Sequence, residues 1–332
     1  MRKKKNYVIG FLVGVALIIG GTVGINSAFD VFSDFYYLTS FRRLPPVSED
    51  YYGERKYKSA LVYHLGPGSI QSAILGSSRV ASLNPLDSQL SKDGAPVYNL
   101  AFAGATVDQL LAFATQLVAL HPDAQVFLGL DFRGFSVRSP DLLYLQGPYH
   151  LPSAWDAFQR LIAGETVRQT MIWLAKSTRV RFSWVGVRPI PGAGQTADRL
   201  AEMAGKMKGA NLELAGYTYD SSAVDKVKSF ALRHPNVTVF LTPVSAWYID
   251  VLRAYGLQDA FVAWRKAFTT LPNCLDFSYN PAFSAIPQTF IDPHHVTPAV
   301  GKVLLDDLAK ARRKENLSWG TLCADPARHW AP

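Results

Sequence analysis

The sequence has few cysteines and few charged residues for its length. Of its 332 residues, 2 are cysteines and 18% are charged. No Cys/His spacing typical of structural zinc occurs. Hydrophobic residues make up 48% of the chain, which excludes the composition of a disordered protein. We therefore expect a globular protein with a sizeable core, in one large domain or two ordinary ones.

The net positive charge is also small beyond the first few residues. The formal net charge is +8, and the basic residues at positions 2–5 supply four of these charges. The rest of the chain has no basic stripe interleaved with aromatic residues, the pattern typical of nucleic-acid-binding proteins. We therefore expect no nucleic-acid partner.

Charge is absent from residues 6–29, and residues 7–25 are almost wholly apolar. A helix needs about 20 such residues to cross the hydrocarbon core of a bilayer. The basic residues before the run keep the N-terminus in the cytoplasm under the positive-inside rule. We predict a single-pass signal-anchor at residues 1–28 with the main domain outside the cytoplasm. The alternative is a cleaved signal peptide, but the run is long and no clean small-x-small site follows it.

The two cysteines, Cys274 and Cys323, would then face an oxidising compartment, where thiols pair. A disulfide between them would stabilise the fold by about 3–4 kcal/mol in the chain-entropy model. The alternative is two buried, unpaired thiols. We expect the disulfide.

Apolar periodicity predicts strands that alternate with helices. A first strand is expected near residues 70–75. A short strand that begins near Pro96 and ends in a glycine turn, a helix at 107–120 and a strand at 125–131 then follow one another through short links. This βαβ pattern predicts an α/β domain with a mainly parallel sheet buried on both faces. Strands and helices alternate again from residue 221 onward.

These patterns also set the expected organisation of the chain. We expect a juxtamembrane stalk at residues 29–54, a globular domain at 55–312 and a polar C-terminal tail at 313–332. Residues 136–215 interrupt the regular alternation. We interpret them as a helical and loop insertion that covers one side of the site.

A serine turn, Gly76-Ser77-Ser78-Arg79-Val80, follows the first predicted strand. Open α/β sheets bind ligands at the carboxyl ends of their parallel strands. The turn lacks the second glycine of the Gly-x-Ser-x-Gly elbow, which argues against the α/β-hydrolase fold. Taken alone, a Gly-Ser-Ser turn is usually structural.

A second group of reactive side chains lies at Asp292-Pro-His294-His295, just before the last predicted helix. A serine becomes a nucleophile when a base takes its proton, and the base needs a carboxylate to orient it. The three-residue spacing lets Asp292 turn back towards His295, and His294 is a second candidate. The alternatives are a helix-capping aspartate beside two surface histidines, or a metal site that lacks a third firm partner.

The order of these motifs resembles the SGNH/GDSL hydrolase superfamily over residues 55–312, with the insertion poorly matched. Ser78 stands at the nucleophile position of a Gly-Asp-Ser block in which Ser77 replaces the aspartate. The segment from Asn99 to Gly104 resembles the second block, whose glycine amide contributes to the oxyanion hole. Asp131 stands where the third block, Gly-x-Asn, has its asparagine.

The last block of that superfamily is Asp-x-x-His, which Asp292 and His295 match. The resemblance implies a three-layer α/β/α sandwich and an acyl-serine mechanism. Ser78 would attack, His295 would act as general base and then acid, and Asp292 would orient His295. The amides of Ser78 and Gly104 would stabilise the oxyanion. The remaining candidate site residues are accessory: Ser77, Arg79, Asn99 and His294.

The membrane-anchored members that the chain resembles are D-alanyl transfer proteins of teichoic acid and acetylation proteins of exopolysaccharide pathways. The resemblance therefore implies the inner membrane of a bacterium, with the main domain in the periplasm. It implies an acylated glycan or another ester as substrate, other envelope biosynthesis proteins as partners, and no metal or organic cofactor. Ester hydrolysis and acyl transfer both fit this description.

Asp131 is the main departure from the superfamily. An ionised carboxylate cannot donate a hydrogen bond to an oxyanion, and losing one such donor typically costs about 10²–10³ in rate. Three outcomes are open: Asp131 is protonated, another residue such as Arg79 donates, or the chain is not a competent esterase. The last outcome would make it a scaffold or glycan-binding subunit of a polymer synthesis or export complex.

Overall fold

The computed structural model divides the chain into two compact units: Met1–Gly66 with His150–Trp184, and Pro67–Tyr149 with Val185–Pro332. The residues that the structure describes are 10, 13–21, 58, 62, 68–91, 96–136, 196–210, 214 and 216–325. The predicted stalk, most of the predicted anchor and most of the predicted insertion lie outside these residues.

In the first unit, residues 10 and 13–21 are helical. Within the described part of the chain, no helix combines the length and hydrophobicity needed to span a membrane.

The second unit is an α/β fold in which short strands alternate with helices. Its strands are β1 (Ser72–Leu75), β2 (Val97–Asn99), β3 (Gln125–Leu130), β4 (Val237–Leu241), β5 (Cys274–Asp276), β6 (Phe290–Asp292), β7 (His295–Val296) and β8 (Thr321–Leu322). Its helices are α1 (Ser78–Ala81), α2 (Val107–Leu120), α3 (Ala197–Ala210), α4 (Ser221–Arg233), α5 (Ala246–Ala254), α6 (Gln258–Ala267), α7 (Pro281–Ser284) and α8 (Pro298–Arg312).

Six strands form the central sheet in the order β2-β1-β3-β4-β5-β8. The first five are parallel, and β8 pairs antiparallel with β5 at the edge. Helices cover both sides of the sheet, so the interior strands are apolar on both faces, as the sequence predicted. The chain runs from β1 outward to β2 and returns to β3 on the other side of β1. This reversal creates the crevice where doubly wound sheets bind ligands.

Helix α1 sits unusually close to the strands because two glycines leave room for Val80. A Cβ atom at Gly76 would lie 2.5 Å from Val80 Cγ2, and one at Gly129 would lie 2.6 Å from the same atom and 2.6 Å from Phe240 Cζ. Non-bonded carbon atoms do not approach each other this closely, so a side chain at either position would clash. The two glycines therefore set the depth at which α1, and with it the serine turn, rests on the sheet.

One face of the sheet packs against the last helix. Ile74, Phe127 and Phe240 project from neighbouring strands into a buried cluster that includes Leu304 and Leu308 of α8. Because α8 follows β7 directly, this packing also fixes the segment that carries Asp292 and His295. Burying each such side chain contributes about 1.5–3 kcal/mol.

The C-terminal segment belongs to the core of the second unit as far as residue 325. Cys274 and Cys323 form a disulfide that spans 49 residues, a loop worth about 4 kcal/mol in the chain-entropy model. The fully buried carboxylate of Asp307 accepts backbone N–H groups from Trp319 at 2.7 Å and Gly320 at 3.0 Å. Within the polar tail expected at residues 313–332, β8 pairs with β5 and extends the central sheet.

The close approach of Val80 predicts opposite effects for two Gly→Ala substitutions. Gly129→Ala should lower the free energy of unfolding by about 1–3 kcal/mol, because its new methyl group meets Val80 and Phe240. Gly205→Ala in α3 meets nothing within 4 Å and should raise stability by about 0.5–1 kcal/mol through helix propensity. Urea unfolding of both variants measures the difference, and equal effects would contradict the packing described.

Candidate active site

The serine turn lies at the carboxyl edge of the sheet, beside the reversal in strand order. Ser77 caps α1 with its Oγ, which accepts the N–H of Arg79 at 3.3 Å, and Ser78 is the first residue of the helix. Asn99 holds the other end of α1, since its Nδ2 donates to the carbonyls of Val80 and Leu83 at 2.8 Å each. Asn99 is fully buried. This predicted accessory residue therefore supports the serine turn from the interior of the protein.

The second part of the site is a short hairpin in which β6 and β7 pair Asp292 with His295. Its turn is held by Ser245, which precedes α5. The Oγ of Ser245 donates to the carbonyl of Pro293 at 2.6 Å, and its backbone N–H donates to the same carbonyl at 3.1 Å. The same Oγ accepts the N–H of Tyr248 at 3.1 Å. One buried serine thus caps a helix and fixes the hairpin.

These two segments meet in a continuous hydrogen-bonded relay. His295 Nε2 lies 3.0 Å from Ser78 Oγ, across 217 residues of sequence. His295 Nδ1 lies 2.6 Å from Asp292 Oδ2. With Nδ1–H donated to the carboxylate, Nε2 is the acceptor for the serine proton. The arrangement has the roles and geometry of a nucleophile, a base and an orienting acid.

The environment of Asp292 keeps its carboxyl group ionised. Burial alone raises its pKa, but the charge of His294, the hydrogen bond and charge of His295, and the backbone N–H of His294 together outweigh burial. The net effect holds the pKa of Asp292 well below its ordinary value. The other oxygen, Oδ1, accepts the N–H groups of His294 and His295 at 2.9 Å each. The carboxylate is therefore fixed in position as well as charged.

A cleft of about 340 Å³, including its open mouth, lies beside Ser78. Arg133 and Gly134 belong to its wall and had no role in the sequence-based interpretation. The residues singled out from the sequence that line it are Ser77, Ser78, Arg79, Gly104, Asp131 and His294. Gly104 has a φ of +69°, a conformation that favours glycine. The motifs thus converge on one cavity.

Asp131 has a structural function that accounts for its carboxylate. It is buried, and its Oδ1 accepts the N–H of Gly134 at 3.0 Å, which caps the 3₁₀ turn Phe132–Gly134. The same residue lines the cleft. When ionised, it presents hydrogen-bond acceptors there and no donor.

Ser245, the cap of α5, and Tyr248 within α5 contact the site without any recognisable sequence motif. Besides Ser245, the fully buried Tyr248 presents its ring to the guanidinium of Arg79, whose Cζ lies 4.8 Å from the ring centroid. The Tyr248 ring meets His294 edge-on at 5.7 Å, and His294 lies 4.4 Å from the ring of His295. A serine three residues before a buried tyrosine is an ordinary helix start, so the sequence held no signal for this role.

Asp292, His294 and His295 also offer ligand atoms that lie within 4.8 Å of one another, as a metal site would. A metal held there would use the side chains of Asp292 and His295, which also form the relay. Carboxylate and imidazole groups suit zinc, so the residue types alone fit both interpretations. The relay is the interpretation in which the contact of His295 Nε2 with Ser78 Oγ has a chemical role.

Comparisons with protein families, curated proteins and solved structures find no match for this chain. The SGNH/GDSL resemblance therefore stays a prediction from motifs, and the functional argument depends on the geometry of the site.

Ser245→Ala tests whether the hairpin turn needs its anchor. We expect about a tenfold or greater loss of Ser78-dependent activity together with a loss of about 1 kcal/mol in stability, the usual cost of a helix cap. Asp220→Ala is the matched control. Asp220 caps α4 by accepting the N–H of Ser222 at 2.9 Å, and this hydrogen bond does not involve the hairpin. It should lose similar stability and keep full activity; equal activity losses would refute the anchoring role.

Asp292→Asn tests the ionised carboxylate through the pH dependence of stability. A lowered pKa in the folded state contributes stability that is present above the unfolded pKa of about 4 and is lost as the pH falls below it. The deficit of the variant in unfolding free energy should therefore be largest near neutral pH, begin to shrink below about pH 4, and close only as the pH passes the lower pKa of the folded state. Asp250→Asn, which breaks an exposed ion pair with Arg253, should show almost no deficit at either pH.

Proposed function

We propose that the protein is a serine esterase or O-acyltransferase that works through an acyl-serine intermediate. The observation that carries this proposal is the relay from Ser78 through His295 to Asp292, with both hydrogen bonds at 3.0 Å or less. A chance contact between a serine and a histidine at a surface would require neither an orienting carboxylate nor a cleft. In this protein a carboxylate bonds to the histidine and a cleft lies beside the serine, and both support a catalytic role.

In the first step, Ser78 Oγ attacks the ester carbonyl carbon while its proton passes to His295 Nε2. The tetrahedral intermediate carries the negative charge on the former carbonyl oxygen, which the amides of Ser78 and Gly104 stabilise. Collapse breaks the carbon–oxygen bond of the alcohol, and His295 returns the proton to that leaving oxygen. Asp292 stabilises the imidazolium throughout.

In the second step, water or a hydroxyl group of an acceptor loses its proton to His295 and attacks the acyl-serine. The bond to Ser78 Oγ breaks and the serine recovers its proton. Water gives hydrolysis, and an acceptor hydroxyl gives acyl transfer. The protein groups needed are the same in both cases, so the proposal covers both reactions.

The proposed substrate is an acyl ester of a cell-envelope polysaccharide or related polymer, outside the cytoplasm. The basic residues at 2–5 and the apolar run at 7–25 support a membrane anchor. The disulfide between Cys274 and Cys323 supports an oxidising compartment. The motif order supports the resemblance to membrane-anchored envelope proteins, and with it other envelope biosynthesis proteins as partners.

The second candidate is a non-catalytic scaffold or glycan-binding subunit of an envelope polymer complex. Asp131 favours it, because a carboxylate in the cleft wall accepts sugar hydroxyl groups and opposes an oxyanion. The relay would then be a structural hydrogen-bond network.

A fluorophosphonate probe separates the two candidates. On the full-length protein we expect stoichiometric labelling of Ser78 and hydrolysis of p-nitrophenyl acetate, both lost in Ser78→Ala by roughly 10⁴-fold or more. Ser222→Ala, an exposed serine of α4, is the control and should behave as wild type. A folded wild-type protein that is neither labelled nor active would support the scaffold instead.

Labelling that is unchanged after exhaustive chelation would also dispose of the metal interpretation of Asp292, His294 and His295. Loss of labelling on chelation and its return with added zinc would favour that interpretation over the relay.

A further inference from the structure

In the proposed oxyanion hole, position 131, directly after β3, supplies a carboxyl group where an asparagine would supply an amide donor. Ser78, Gly104 and Asp131 all line the cleft, and the backbone amides of the first two are the donors named in the proposed mechanism. Two amide donors beside an ionised carboxylate would make a poor environment for a developing oxyanion. If the site performs the proposed reaction, a further positive or donor group has to act there.

We propose that the guanidinium of Arg79 is that group, a catalytic residue that donates to the oxyanion in place of the side chain at position 131. The inference depends on the proposed acyl-serine chemistry and names a further residue for it. Arg79 follows the nucleophile directly, is 5% exposed and lines the same cleft as Ser78, Gly104 and Asp131. Its burial beside the reacting serine distinguishes it from an arginine held at the surface.

The chemistry of arginine suits this position. The guanidinium is charged at every pH of interest and carries five N–H donors in a fixed plane. It can therefore donate to an oxyanion while it keeps other hydrogen-bond partners. Because Arg79 is 5% exposed, its fixed positive charge stabilises a developing oxyanion more strongly than it would in solvent.

Tyr248 holds Arg79 in relation to the rest of the site. The Arg79 Cζ lies 4.8 Å from the centroid of the Tyr248 ring, a cation–π contact that fixes the plane of the guanidinium. Tyr248 is anchored in turn, because its N–H donates to Ser245, which also binds the Pro293 carbonyl. The position of Arg79 is thus set by the same helix that sets the hairpin of His295.

The proposal also explains why position 131 tolerates aspartate. Its Oδ1 is needed as an acceptor for the N–H of Gly134, and either aspartate or asparagine can supply that oxygen. Asparagine would add an amide donor on the side of the cleft. Arg79 and an asparagine at position 131 would therefore serve the same purpose, so their effects on the rate should not be independent.

The test is a double-mutant cycle on the full-length protein with p-nitrophenyl acetate as substrate. Arg79→Gln should lower kcat by about 10²-fold with little change in KM, because the lost interaction forms only in the transition state. Asp131→Asn alone should raise kcat. In the Asp131→Asn background, the loss caused by Arg79→Gln should shrink to less than about tenfold, since the new amide replaces the donor.

Matched variants keep the result interpretable. Arg253→Gln removes an exposed arginine of α5 that pairs with Asp250 and should leave kcat unchanged. Arg79→Lys keeps the charge and should retain more activity than Arg79→Gln. The lysine variant also serves as the second test if the glutamine variant does not fold. Millimolar guanidinium should partly restore kcat in Arg79→Ala and should not affect the wild type.

Several results would overturn the proposal. A rise in KM at constant kcat would make Arg79 a ground-state binding residue. If Arg79→Gln lowers kcat equally with aspartate and with asparagine at position 131, the two residues act independently. If the kcat loss of Arg133→Gln shrinks in the Asp131→Asn background instead, the donor is Arg133. If the wild type shows no Ser78-dependent turnover, the proposed function fails and this inference fails with it. Ser78-dependent turnover that does not change when Arg79 is replaced would contradict this inference and leave the proposed function standing.

Discussion

The hydrogen bond between His295 Nε2 and Ser78 Oγ joins segments that are 217 residues apart, and the rest of the site is arranged so that it can form. The parallel sheet brings the serine turn to its carboxyl edge, and the two glycines beneath Val80 set the depth of that turn. The hairpin is positioned from the opposite side by the packing of α8 and by the Ser245 anchor. An error of about 1 Å in either support would separate His295 from Ser78, and in the proposed reaction this would cost about 10² in rate.

Aspartate carboxylates that accept backbone N–H groups hold several segments of the second unit in place. Asp292 accepts two N–H groups of its own hairpin, and Asp307 accepts N–H groups of the C-terminal segment. Asp276 forms a buried pair with Arg265, whose Nη2 lies 2.9 Å away, and accepts the N–H of Ser278 at 2.7 Å. Asp131 belongs to the same group through its bond to Gly134. In each case backbone donors offset the cost of burying the charge, so the aspartate in the cleft wall has a structural explanation.

The α/β class and the parallel sheet could be predicted because they depend on local patterns, whereas the relay residues were singled out by the order of their motifs and its resemblance to the SGNH/GDSL superfamily. Helix α2 has its apolar stripe and its Thr106 cap, and β3 is a continuous apolar run. Ser245 and Tyr248 could not be predicted, because their function arises only when α5 lies against a hairpin that comes some 50 residues later. The pairing of β8 with β5 likewise depends on tertiary contacts. The polar, tryptophan-bearing sequence of the tail does not predict them.

The central claim is that Ser78 forms a covalent acyl intermediate, and rapid-quench peptide mapping tests it most directly. The full-length protein is mixed with p-nitrophenyl acetate, quenched in acid within the first turnover, digested and analysed by mass spectrometry. The relay predicts one acetyl group on the peptide that contains Ser78, formed in the wild type and lost when His295 is replaced by alanine. A folded protein that shows no acetylation, or that carries the acetyl group on another residue to the same extent in both proteins, would contradict the account.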